Sequence, residues 1–236
     1  MKLFYHPQLE GLEEFIVEDE EAKHLRVLRV GEVDDIYFTD GKGNKALCRV
    51  IMDKNKTVVK VVEIDMHEPS NPQLTILIAP TKNTDRMEWF VEKAVELGIH
   101  QIIFSITANS ERPYMKIERM KRVAIAAMKQ SLKFYLPEII ISGQFLKHDQ
   151  FDFTGIKLLA HCNSYFDRAF IYDTIKSGDD VLIAIGPEGD FNKDEIELAL
   201  KQGYLGITMG ESRLRTETAA LYSVMSFNLK NHSPTI

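Results

Sequence analysis

"VLIAIGPEGDFNKDEIELALKQG", residues 181–203, passes through three kinds of local structure in one short run. Val181 to Ile185 are apolar without alternation, the pattern of a strand covered on both faces. Gly186 and Gly189 then permit positive φ and a close approach to the main chain, while Pro187 stiffens the turn. From Asn192 the period becomes helical, with Asn192 and Glu195 as a capping pair and Gly203 as the stop. A buried strand, a tight loop and an amphipathic helix make up the repeating unit of a parallel sheet with helical crossovers.

The same alternation extends in both directions. "LTILIA" (74–79) precedes a helix predicted from about Asp85, where Asp85 and Glu88 form a capping box, through Phe90, Val91, Ala94 and Leu97 to Gly98. "QIIFSI" (101–106) is the next strand, and Ile117, Met120, Ala124, Ala127, Met128 and Ser131 trace a helical stripe that must end before Pro137. "KLLAH" (157–161) and "GITMG" (206–210) add two more strands, and a terminal helix starts at about Thr216. The expectation is an α/β domain over residues 71–236.

Residues 1–70 read differently. "DIYFTD", "ALCRVIM" and "TVVKVVEID" are β-branched runs separated by turn chemistry at Asp40-Gly41, Gly43-Asn44 and Lys54-Asn55, the mark of a small β-barrel. "HEPSNPQ" (67–73), with two prolines around Ser and Asn, is the linker that sets the boundary near residue 70.

Composition narrows the function. No apolar run approaches the roughly 18–20 residues of a membrane helix, and the acidic, Pro-interrupted start lacks a signal-peptide layout, so a cytoplasmic location is expected. Cys48 and Cys162 have no CxxC or Cys/His set around them; both read as small core residues, and no metal is expected. The net charge of −6 argues against a generally cationic nucleic-acid binder. Locally, however, Arg112, Lys116, Arg119, Lys121, Arg122, Lys129 and Lys133 face only Glu118, an electrostatic footprint or else a solvated helix face.

In parallel sheets ligands bind beyond the carboxyl ends of strands, and three loops meet that description. "LLAHCN" opens into His161, Cys162 and Asn163, where backbone contact to a ligand is expected. "IGPEGD" is neither a Walker loop nor GxGxxG; spacing alone fits a tight turn as well as a ligand loop. "MGESRLRTETAALYS" (209–223) places Arg213, Arg215 and Glu217 at a strand end, more polar chemistry than a helix cap needs.

"GPEGDFNKDEIELA" followed by "MGESRLRTETAA", together with "KHLRVLRVGEVDDI", "EKAVELGI", "NSERP" and "KQSLKFYLPEI", resembles the bacterial 16S ribosomal RNA uridine N3-methyltransferases of the SPOUT class, in the family's order over nearly the whole chain. The resemblance implies an N-terminal PUA-like RNA-binding barrel, a SPOUT domain with a trefoil knot, a homodimer, 16S rRNA of the small subunit as partner and S-adenosyl-L-methionine as cofactor. Carried over by position, it implies a cofactor site of Leu159, His161, Gly186, Pro187, Glu188, Gly189, Met209, Gly210 and Leu214. The chain departs from the family pattern at Leu3, Lys129 and Lys133, where arginine, glutamate and arginine are usual, and at Asp190, where a second glycine is usual.

For a methyl transfer to N3 of uridine, the ring proton must leave or the resulting anion be stabilised. Arg215 is the candidate for that charge, and Glu188 or Glu217 for the base, the sequence leaving the choice open. RNA docking falls to His24, Arg26 and Arg29 near the N-terminus with Arg112 and Lys133. Phe134 and Tyr135 lie close by as base-stacking residues, although core packing accounts for them equally.

Overall fold

The computed structural model describes residues 1–17, 19–27, 34–53, 56–111, 115–146 and 153–231. They form two compact units, one of Met1–Pro69 with Ile125–Leu136, the other of Ser70–Ala124 with Pro137–Ile236. Arg29, Arg112 and the Lys54-Asn55 turn lie outside the described residues.

The first unit holds a five-stranded sheet built from β1 (Leu3–Tyr5), β2 (Glu14–Val17), β3 (Ile36–Thr39), β4 (Asn44–Asp53) and β5 (Lys56–Met66), in the order β1-β3-β4-β5-β2. The β1–β3 pair is parallel and the others antiparallel. Phe4, Phe15 and Phe38 meet in its core with ring centroids 5.0–5.3 Å apart, an arrangement favourable for aromatic packing.

Two features of this unit were not in the strand reading. The stretch around "EEAKHLRV" forms a helix, α1 (Asp19–Val27), which buries Ala22 and Leu25 and puts His24 and Arg26 in its last turn, where the helix dipole favours cations. The second is the segment 125–136. Leu136 N–H donates to Gly41 O (2.8 Å), Gly43 N–H to Phe134 O (2.9 Å), and the Tyr135 hydroxyl to His67 O (2.7 Å). Gly41 and Gly43 have φ of +73° and +105°, and a Cβ on Gly41 would stand 2.8 Å from Leu136 Cβ, so both conformation and close approach require glycine there.

The second unit is a seven-stranded sheet of β6 (Leu74–Ile78), β7 (Gln101–Ile106), β8 (Glu138–Gln144), β9 (Ile156–Ala160), β10 (Ala169–Phe170), β11 (Val181–Ile185) and β12 (Leu205–Thr208). Its order is β10-β12-β9-β11-β6-β7-β8, with every neighbouring pair parallel. The helices are α2 (Thr84–Leu97), α3 (Ile117–Gln130, whose residues from Ile125 belong to the first unit), α4 (Ile171–Thr174), α5 (Lys193–Lys201) and α6 (Thr216–Asn231). All five residues of β6 and of β11 are buried, as expected for central parallel strands. No helix among the described residues is long and apolar enough to cross a membrane.

Helix ends follow local chemistry with one correction. Asn192 and Glu195 form a reciprocal capping box on α5, and Gly98 ends α2 at φ +97°. The cap of α2, however, is Asn83, whose side chain accepts from Asp85 N–H at 2.9 Å, while Glu88 is drawn to Arg119 instead. A carboxylate next to a guanidinium gains more there than as the second half of a capping box. Leu97 is 37% exposed; Met87 and Val95 complete the buried face of α2.

His100 joins the start of this unit to β6. Its Nδ1 accepts from Leu74 N–H (3.0 Å), so the ring is neutral with the proton on Nε2, which lies 3.0 Å from Ser70 O. Burial, the largest influence, holds its pKa below the ordinary histidine value, against Ser70 O and Asp180. The unfolded chain therefore binds the proton more readily than the folded one. Stability is complete above the ordinary histidine pKa of about 6.5 and falls as pH drops below it. Urea midpoints should be lower at about pH 5 than at about pH 8, and a His100→Gln variant should lose part of that difference.

Candidate active site

Register brings three loops together. Ala160 of β9 pairs with Ile185 of β11 on one side and with Ile207 of β12 on the other. Since all three strands run the same way, residues 161, 186 and 208 leave the sheet side by side at its carboxyl edge. They enclose a cleft of about 830 Å³ whose walls include His161, Gly186 to Glu188, Asp190, Met209, Gly210 and Leu214. This is within the size range of sites for cofactor-sized ligands.

Of the expected cofactor residues, His161, Gly186, Pro187, Glu188, Met209, Gly210 and Leu214 line this cleft. Leu159 and Gly189 do not. Leu159 is fully buried in a core with Leu182, Ala184 and Phe191, beneath the cleft, and Gly189 O accepts from Asn109 Nδ2 at 3.1 Å. A Cβ on Gly186 would come to 3.1 Å from the Phe191 ring, so a glycine keeps this turn against its helix.

His161 is 4% exposed, and neither ring nitrogen has a hydrogen-bond partner among the described residues. Gly206 makes the space for it, since a Cβ there would lie 2.9 Å from His161 Nε2. Burial depresses the imidazole pKa, with Asp190 and the nearby Asn163 backbone opposing and Arg168 reinforcing the shift. The neutral ring therefore forms part of the cleft wall as a packed, uncharged surface.

Asp190 ties the loops together. It has φ +61°, a left-handed conformation that aspartate adopts more readily than most residues. Its Oδ2 accepts from Cys162 N–H (2.7 Å) in the first loop, and its Oδ1 from Phe191 N–H (2.8 Å). Its carbonyl accepts from Asn109 Nδ2 (3.0 Å), which anchors the turn to the end of β7. Cys162 is exposed and lines the cleft, contrary to the core position expected of it, because its strand ends two residues earlier. Cys48 is buried, and burial pushes its thiol up to about 12.

The three expected catalytic side chains divide between two neighbouring recesses, with Arg215 in both. Glu188 is exposed at the cleft, its Oε1 3.4 Å from Lys82 N. Arg215 lines the cleft and also a neighbouring groove of about 580 Å³. Glu217 lines only that groove; it is 6% exposed, with Oε1 3.7 Å from Arg86 Nε. Arg86, Asp190 and Gly206 carry parts of this arrangement that sequence reading missed. Only Asp190 gave a signal, as a non-glycine in a glycine turn.

In the first unit His24 and Arg26 are exposed on α1, and His24 lies edge-on to Phe4 with ring centroids 5.3 Å apart. Lys133 is half-buried, which lowers its pKa. Phe134 stacks on His67 at 4.4 Å and carries Lys45 at 5.9 Å. Much of the basic run is internally paired, Lys129 with Glu21, Lys121 with Glu118 and Arg119 with Glu88.

Residues 68–228 match the model of an RNA methyltransferase domain, and residues 17–63 that of an RNA methyltransferase PUA domain. The chain belongs to the RNA methyltransferase family. Among solved structures, this RNA methyltransferase superimposes on a probable rRNA-methyltransferase from Porphyromonas gingivalis with a TM-score of 0.90 at 37% identity, covering 98% of both chains. A ribosomal RNA small subunit methyltransferase E from Neisseria gonorrhoeae, bound to S-adenosyl methionine, gives 0.85 at 25% identity, again over 98% of both. The enzyme of that name from Bacillus subtilis is 28% identical over 94% of this chain and 92% of its own.

The Asp190 bridge makes a direct prediction. Asp190→Ala loses both amide contacts and should cost about 1–3 kcal/mol in denaturant unfolding, with faster hydrogen exchange at the Cys162 amide. Asp190→Asn keeps an acceptor and should retain most of that protection.

Proposed function

We propose that this chain uses S-adenosyl-L-methionine to methylate N3 of a uridine in 16S rRNA of the small ribosomal subunit, in the cytoplasm and as a homodimer. The observation that carries the reading is the cleft at the ends of β9, β11 and β12, walled by glycine turns and by the buried ring of His161. Small residues and main chain would suit the uncharged adenine and ribose of the cofactor better than a charged fingerprint would. His161, Gly186, Pro187, Glu188, Met209, Gly210 and Leu214 hold the cofactor, with Leu159 and Gly189 shaping the loops from behind. The trefoil knot implied by the class belongs to the same proposal.

The cofactor supplies an electrophilic methyl group on a sulfonium. The chain's part is to free a nitrogen lone pair and hold it in line. Of the two glutamates, Glu188 faces the cleft with an exposed carboxylate, whereas the charge of Glu217 is engaged by Arg86. Glu188 therefore takes the N3 proton, and Arg215, at the rim shared by cleft and groove, balances the charge that develops on the uracil oxygens. RNA is held further by His24, Arg26 and Lys133, together with Arg29 and Arg112.

The deciding experiment is transfer of labelled methyl from S-adenosylmethionine to small subunits lacking the modification, with nucleoside analysis of the RNA. N3-methyluridine is the expected product; another methylated nucleoside would overturn the assignment. Glu188→Gln should lower kcat by about a hundredfold or more, whereas Glu217→Gln should leave most of it.

Dimer formation is supported by an apolar strip on α2 and α6, where Leu97, Met225 and Leu229 are 37%, 50% and 69% exposed. Sedimentation should give twice the chain mass, and Leu229→Glu should shift the equilibrium toward monomer.

A further inference from the structure

Beside the cofactor cleft lies the groove of about 580 Å³ between the N-terminal ends of α2 and α6, and its lining is unlike that of the cleft. It contains Arg86, Trp89, Arg213, Arg215, Glu217 and Thr218. Trp89 is the only tryptophan in the chain and is 43% exposed. Arg213 and Arg215 are exposed, and neither has a carboxylate within ion-pairing distance among the described residues. Three guanidiniums thus face two carboxylates, Asp85 and Glu217, in a chain whose net charge is −6.

Glu217 adds an independent observation. It is more than nine-tenths buried, and its Oε2 has no hydrogen-bond partner among the described residues. Its Oε1 lies 3.7 Å from Arg86 Nε, so the buried carboxylate fixes Arg86 at the groove wall and leaves Arg213 and Arg215 as the guanidiniums without an internal counter-charge among the described residues.

We propose that this groove is the subsite for a nucleotide flanking the target: its base lies on the Trp89 indole and its phosphate between Arg86 and Arg213. The target base itself belongs in the cofactor cleft. The two recesses share Arg213, Leu214 and Arg215 as a common wall, so a strand crossing that wall places adjacent nucleotides one in each. An exposed indole framed by guanidiniums is the chemistry that binds single-stranded RNA, by stacking and by phosphate contact. A second copy of the chain would need acidic groups opposite Arg213 and Arg215. This inference rests on the proposed reaction for its choice of strand.

Because Trp89 is the sole tryptophan, intrinsic fluorescence reports on this groove alone. Titration of the full chain with a short oligouridylate should quench the emission, and more weakly with the oligodeoxyuridylate of the same length. Trp89→Ala should raise the KM for small subunits about tenfold, while Trp89→Phe stays near wild type, a split that a folding defect would not give. S-adenosylmethionine affinity should be the same in both variants. Arg213→Ala should reduce the slope of log affinity against log salt by about one.

Unaltered fluorescence at RNA concentrations where the wild-type chain methylates subunits would overturn the proposal, as would a wild-type KM in Trp89→Ala. So would emission that shifts with protein dilution and ignores RNA, which would assign the groove to a second copy. If the wild-type chain methylates no RNA, the reaction reading fails, while quenching by oligouridylate still decides the subsite.

Discussion

The active region depends on one constraint, the parallel register that sets Ala160 between Ile185 and Ile207. In a parallel sheet every strand ends at the same edge, so three loops distant in sequence need only short excursions to enclose one volume. Full burial of β11 and of Leu158 and Leu159 in β9 holds that register, since on both faces of the sheet a slip would mismatch close-packed side chains with their neighbours. The cleft is thus a consequence of core packing, and its lining residues are free to be chosen for chemistry.

Within that frame, close approach has replaced charge as the means of shaping the site. Gly206 makes room for the His161 ring, and Gly186 keeps the turn against Phe191. Asp190 then does with a carboxylate what a glycine turn leaves to the backbone alone: it binds the amide of Cys162 and joins the first loop to the second. Arginines are kept at the rim, where Arg213 and Arg215 are exposed and have no carboxylate within ion-pairing distance among the described residues.

Several residues carried a legible signal. The cap pair of α5, the glycine at the end of α2 and the uniformly apolar strands depend on neighbours within a few positions, so sequence specifies them directly. Other features depend on long-range partners. The N-terminal helix α1 was hidden because its few apolar residues meet a core assembled from distant strands. Glu88 read as half of a capping box and Glu217 as one of two candidates for the base; the structure pairs each with an arginine from another helix, Arg119 and Arg86 respectively. Cys162 looked like core and is exposed, because only the end of β9 decides which side of the boundary it occupies.

By itself the sequence determined the alternation of strand and helix and the glycine loops, because each is written in local periodicity and spacing, and its ordered motifs carried the resemblance to the family. Tertiary structure alone decided which loops share a cleft, that Ile125–Leu136 packs with the N-terminal unit, and which glutamate faces open space. The physical reason is the same in each case: burial and electrostatic pairing act through space, between residues whose separation along the chain carries no information about their distance.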